Sequence, residues 1–189
     1  MPSHKRSDFV PNLWCECGLR TDLQNPLRTR VHATGQGDKL IVPPHWHAAH
    51  DERHVVLKGR VTVTQDGVQK VIGPDDGICV TPRGVVHSLE GFPGEELILE
   101  ETATLPEDTE QKTIFFRNMY SPGLLSSPLR AMQLFYYGDM YPKLPTGFRW
   151  LERPLVVVIG GWIAPLLGYQ LPDKRLRMNP DRFPPNKKS

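Results

Sequence analysis

A mainly β barrel followed by helices is the fold this sequence predicts, on three observations. Between residues 27 and 103, short runs rich in β-branched residues alternate with turn signals, the pattern of an all-β barrel. His45, His47, Glu52 and His87 fall at spacings that place them on strands facing one interior. After about residue 104 the texture changes to segments with acidic residues early and basic residues late, as helices favour.

Taken in order, residues 1–26 are polar and punctuated by proline, and are expected to form an N-terminal arm that lies over the barrel or adds an edge strand. The barrel, 27–103, is expected to hold strands at 28–33, 39–42, 54–57, 61–64, 68–72, 78–81, 85–88 and 96–101. Asp66-Gly67 between two of these runs is a strong hairpin signal, because both positions tolerate positive φ. A helical extension, 104–189, follows, with helices expected at 105–120 and 127–140. Its third apolar segment runs from 154 to 171. Pro154–Pro172 carries no charged residue and is long enough by length alone to cross a bilayer. Gly160-Gly161 and Pro165 interrupt it, so a buried or dimer-packing helix pair is the expectation. Membrane-surface contact, favoured by K-R-L-R at 174–177, ranks second, and a true span last.

The spacing of the four polar residues carries the chemistry. H-W-H at 45–47 sends two imidazoles to one face of a strand, because side chains alternate with period 2. Glu52 follows after a turn, on the returning strand, and His87 arrives on a later strand after the Pro82-Arg83-Gly84 turn. Neutral imidazoles and a carboxylate suit Fe, Mn, Ni, Cu or Zn, and ligand softness alone does not choose among them. The alternative is a barrel that uses these residues to hydrogen-bond a ligand directly. His54, two residues beyond Glu52, shares its face. It is read either as a catalytic acid–base group beside the site or as a core histidine satisfied by backbone. His50 falls in the turn and is expected to face solvent, with substitution as a ligand the alternative, and His32 precedes the motif without a spacing argument. Trp46, between the ligands, must point away from them. The wall opposite comes from Leu97 and Leu99, or from the other parity at Ile98. Phe115, Phe116, Phe135, Tyr136 and Tyr137 would suit a hydrophobic substrate or simply form core.

On these residues the chain resembles the cupins. Their first motif, G-x5-H-x-H-x(3,4)-E-x6-G, is met by His45, His47, Glu52 and Gly59, with the opening Gly displaced to Gly37 and Lys39 in its place. The second, G-x5-P-x-G-x2-H-x3-N, is met by Pro82, Gly84 and His87. The gap after Gly77 is one residue short, and Gly91 replaces the closing Asn. The resemblance covers roughly residues 25–103. It implies a jelly-roll (double-stranded β-helix) barrel and a divalent transition metal held by His45, His47, Glu52 and His87. Glu52 and His54 are the expected catalytic residues, although family sequences commonly carry an apolar or aromatic residue where His54 stands. A three-His-one-Glu set is more similar to the dioxygenase branch than to the 2-oxoglutarate enzymes, which carry an acid where His47 stands. The expected function is therefore a metal-dependent oxygenase acting on a small hydrophobic metabolite. A non-oxidative isomerase, cyclase, dehydratase or decarboxylase, and a non-catalytic binding module, are the alternatives.

Composition narrows the setting. A formal net charge of +2 over 189 residues, without a basic stripe interleaved with aromatics, argues against a nucleic-acid partner. Lys5-Arg6 and Lys187-Lys188 read as solvated tails. Three cysteines, Cys15, Cys17 and Cys79, fit a reducing compartment better than a disulfide framework. The first residues carry no apolar leader-like run, so a cytoplasmic location is expected. Barrels of this size often pair through sheet edges, and a homodimer is the expected assembly.

Overall fold

Among the described residues, antiparallel pairing builds two five-stranded sheets that face each other. The computed structural model describes residues 20–22, 29–37, 39–103, 106–119 and 121–173. One sheet runs β1 (Arg20–Asp22), β2 (Thr29–Ala33), β9 (Leu97–Ala103), β4 (Glu52–Lys58), β7 (Ile78–Thr81). The other runs β10 (Tyr141–Pro142), β3 (Ile41–Trp46), β8 (His87–Gly91), β5 (Val61–Gln65), β6 (Val68–Ile72). Together they form a jelly-roll barrel: the strand pattern predicts the barrel, and the family resemblance implies the jelly roll.

Alternation fixes which side chains enter. Val31 and Ala33, Val61 and Val63, and Leu97 and Leu99 all point inward and meet Leu40, Val56, Ile72 and Leu89 in one apolar core. Leu97 and Leu99 are 1% and 0% exposed while Ile98 is only half-buried, so the parity of β9 is settled in favour of the leucines. The same parity brings Glu101 inside. Within the N-terminal arm, residues 20–22 do pair as an edge strand on β2. Cys15 and Cys17 lie outside the described residues, and Cys79 is a half-buried free thiol whose pKa burial raises.

Two of the positive-φ glycines lie in turns that border the site's strands. At Gly59 the backbone has φ +75°, and an added Cβ would fall 2.0 Å from the carbonyl oxygen of Glu96. Gly84 (φ +80°) shapes the turn before β8, where its N–H donates to the His47 carbonyl at 2.7 Å. The Asp66-Gly67 hairpin also forms as expected, with φ of 45° and 88°.

The extension packs helices α1 (Pro106–Met119) and α2 (Pro128–Tyr137) around a second apolar core of Ile114, Phe115, Leu124, Leu134, Tyr137 and Leu171. Phe116, Phe135 and Tyr136 pack against it, so the aromatics are structural there. The segment expected as a helix pair is instead one irregular helix that begins earlier. It comprises α3 (Arg149–Val156), wide π-helical turns over Val157–Ile163, and α4 (Ala164–Leu166). The glycines do not break it, because wide turns absorb the irregularity. Gly160 instead allows close approach, since a Cβ there would meet the Met132 carbonyl oxygen at 2.0 Å. Its outer face leaves Trp150, Trp162, Leu166 and Leu167 exposed. No helix among the described residues is long and apolar enough to cross a membrane.

A Gly59→Ala variant should lose roughly 2 kcal/mol or more of stability, because it combines positive φ with a backbone clash. Gly67→Ala, with positive φ but open space around it, should lose only about 1 kcal/mol. Urea unfolding of both variants measures the difference, and equal losses would contradict the packing described.

Candidate metal centre

The four residues singled out by spacing meet inside the barrel at one end. His45 and His87 lie directly opposite each other on β3 and β8, with ring centroids 4.2 Å apart. A bulge at Pro43-Pro44 precedes them, where the register shifts and neither proline can donate to the ladder. His47 follows the end of β3, and Glu52 opens β4 in the facing sheet. All four are buried, and one ligand atom from each lies within 4.8 Å of the others.

Each imidazole is held by its Nδ1. His45 Nδ1 donates to the Pro43 carbonyl at 2.8 Å, His47 Nδ1 to the Asp139 carbonyl at 2.8 Å, and His87 Nδ1 to the Val85 carbonyl at 3.1 Å. A carbonyl only accepts, so each Nδ1 carries the proton and Nε2 is the nitrogen left to bind something else. His87 Nε2 stands 2.8 Å from Glu52 Oε2, and His47 Nε2 stands 2.9 Å from Glu52 Oε1. Ligand atoms on neighbouring corners around an ion at about 2.1 Å would be roughly 3 Å apart, so the donor set fits a transition metal. His47 Nε2 and His87 Nε2 each stand at that spacing from one of the two Glu52 oxygens.

The charges are consistent with this geometry. Burial, followed by the neighbouring His47 and His87, drives the His45 pKa well down, so its imidazole is neutral. Burial also lowers His47, only partly opposed by Glu52. For His87, burial pulls downward, but the hydrogen bond and charge of Glu52 outweigh it and the net shift is upward. Burial alone would raise Glu52, yet the Lys112 charge and the two imidazoles hold its carboxyl well below the usual range. A cation between these groups would take the place of the proton shared by His87 and Glu52.

Three residues that spacing did not reveal complete the site. Lys112, on α1, donates to Glu52 Oε1 and to Glu101 Oε1. Glu101, directly across from His54 on β9, is inside by parity, a signal present in Leu97-x-Leu99-x-Glu101. Asp139 follows α2 at φ +52°, uncommon for a non-glycine residue. Its carbonyl holds His47, and its Oδ2 accepts from the Ala49 N–H at 2.6 Å. Lys112 and Asp139 come from the extension, and no local pattern announces either.

The remaining expectations divide. His54 is fully buried on the same face as Glu52, with Nε2 3.6 Å from Glu52 Oε2. It is not satisfied by backbone, because neither ring nitrogen has a hydrogen-bond partner. His50 does not face solvent as expected; its side chain is 8% exposed and tucked against Asp139 Oδ2 at 3.3 Å. The cause is the 138–142 segment, which covers the turn. His32 stands apart, near Glu96 at 3.0 Å. Arg83 is exposed in its turn. Trp46 does point away, packing on Tyr141 and donating from Nε1 to Glu152 Oε2 at 2.7 Å.

Residues 33–99 match the cupin domain family, and the chain is a cupin-domain protein. It is 29% identical over 168 residues to an oxidoreductase of Arthrobotrys oligospora, covering 82% of this chain and 66% of that one. It is 32% identical over 142 residues to a probable oxidoreductase, YanE, of Aspergillus niger, covering 67% and 55%. The chain thus spans between about half and two thirds of the length of these two relatives. Among solved structures it is similar to KdgF from a Halomonas species, at 19% identity and a TM-score of 0.36, covering 47% of this chain and 80% of that one.

Acid should expose the cost of the buried carboxylates in the metal-free protein. Burial alone would raise Glu101, but the Lys112 charge lowers it from an ordinary 4.5 to about 2. A depressed folded-state pKa gives stability that is present above the unfolded value and lost as pH falls through the folded one. Stability should therefore decline between about pH 4.5 and 2. Glu101→Gln should be less stable at neutral pH but flatter in that window. Urea midpoints measured against pH test this, and parallel curves for the two proteins would contradict it.

Proposed function

We propose that this protein is a metal-dependent oxidoreductase of the cupin class that acts on a small hydrophobic organic molecule in an oxygenase-type reaction. The observation that carries the reading is the convergence of three Nδ1-anchored imidazoles and the Glu52 carboxylate on one buried point. The names of the two fungal relatives support the oxidoreductase class. His45, His47, Glu52 and His87 would hold a divalent transition metal, and a redox-active one supplies one-electron chemistry with dioxygen when bound.

The chain's own residues do the rest. The backbone carbonyls of Pro43, Asp139 and Val85 fix the ring orientations before anything binds. Lys112 keeps Glu52 ionised. Past the charged pair of Glu101 and Lys112, the barrel core is apolar, through residues such as Val56, Leu97 and Leu99, which keeps water from the buried charges. His54, with both ring nitrogens unpartnered, is placed to hold or pass a proton beside the Glu52 carboxylate.

That same histidine favours a second reading, in which the metal only polarises a carbonyl and His54 moves a proton, giving isomerisation or decarboxylation. Dioxygen separates the two: turnover should cease anaerobically, and activity that persists without dioxygen would overturn the oxygenase reading. Metal analysis of untagged protein should find about one transition metal per chain, lost in His45→Ala and His87→Ala. Full metal content in both variants would contradict the assignment of ligands. His54→Phe should retain the metal and lower turnover by roughly 10²-fold or more. Full activity would make His54 packing alone.

A further inference from the structure

A second cation pocket lies beside the candidate metal centre and shares Glu52 with it. Glu52, His54 and Glu101 each offer a ligand atom, and these atoms lie within 4.8 Å of one another. Glu52 and His54 share the inward face of β4, and Glu101 faces His54 across the β4–β9 pair. Their exposures are 3%, 0% and 7%.

His54 is the informative member. Its Nε2 stands 3.6 Å from Glu52 Oε2 and 3.7 Å from Glu101 Oε2, too far to hydrogen-bond either carboxylate. Neither ring nitrogen finds another partner, and a fully buried imidazole left this way is costly. Two carboxylate oxygens and an imidazole nitrogen at such spacings need only a small contraction to share one ion.

On the opposite oxygens sits a cation the chain supplies itself. The Lys112 ammonium donates to Oε1 of both Glu52 and Glu101. One ammonium against two carboxylates leaves a single negative charge, and a divalent ion on the four-residue site makes the sum positive. A second divalent ion would therefore meet net repulsion in a buried setting, where charges interact strongly. Remove the amine, and the same count becomes neutral.

Resting on the reading that His45, His47, Glu52 and His87 hold a metal, we propose that Lys112 is the resident cation of this second pocket and keeps the centre mononuclear. Without the amine, Glu52, His54 and Glu101 take a second divalent transition-metal ion, and Glu52 bridges the two.

Zinc and manganese are suitable probes on the full chain. After equilibration with excess zinc and removal of unbound metal, the wild type should retain about one equivalent and Lys112→Met about two. Adding His54→Phe or Glu101→Gln to Lys112→Met should return the count to about one. Loaded with Mn(II), Lys112→Met should show the electron paramagnetic resonance of a magnetically coupled pair, and the wild type that of an isolated ion. Should Lys112→Met fail to fold, Lys112→Gln removes the charge while keeping a donor, and carries the same expectation. One equivalent in the folded Lys112 variant, or two in the wild type, overturns the proposal and leaves the four-residue metal site standing. No zinc in the wild type defeats that reading and this proposal together.

Discussion

The carboxylate of Glu52 is buried to 3% exposure, and the rest of the site is arranged around that fact. A carboxylate removed from water is tolerated only when charge or hydrogen bonds replace its hydration. Here the replacement comes from three directions: His87 on β8, His47 after β3 and Lys112 on α1. Each partner belongs to a different element, so one ionised group ties both sheets and the helical extension to a common point. The same arrangement that holds the carboxylate ionised leaves the imidazole Nε2 atoms aimed inward, and a site suited to a metal results.

The extension is consequently part of the site as well as a cover for it. Strand β10 pairs Tyr141 with Trp46 and Pro142 with His45, flanking the strand that carries His45. Asp139, just before it, holds His47 through its carbonyl and the Ala49 N–H through its carboxylate. Glu152 on α3 accepts from Trp46 Nε1 and from the Leu144 N–H, fastening the helix to the far side of the same strand. A barrel alone would leave His47 without its orienting carbonyl and Glu52 without its cation.

Much of this was legible in the sequence, for identifiable reasons. Period-2 alternation put Glu52 and His54 on one inward face, because a one-residue slip would turn every core side chain outward; on β9 it offered two parities, and burial decides for Leu97 and Leu99 over Ile98. Turn chemistry located the hairpin at Asp66-Gly67 and the bend at Gly84. The alternation on β9, carried two residues further, also contains Glu101. What escaped was long-range. Lys112 reaches the site from a helix sixty residues beyond Glu52, and a lysine on a helix ordinarily snorkels to water. Asp139 acts mainly through its backbone carbonyl, which no side-chain pattern encodes. His50 appeared to be a turn residue because nothing local foretells the segment that covers it. The interrupted apolar stretch around Gly160 suggested a break, whereas wide helical turns and a close helix contact accommodate it.

Anomalous diffraction from crystals soaked in a divalent transition metal, recorded on either side of that metal's absorption edge, would show whether the three imidazoles and Glu52 share an ion. A single peak in the barrel is expected, bonded to Nε2 of His45, His47 and His87 and to a carboxylate oxygen of Glu52. A barrel without such a peak, or a peak bound to other residues with these four still hydrogen-bonded among themselves, would contradict the shared site.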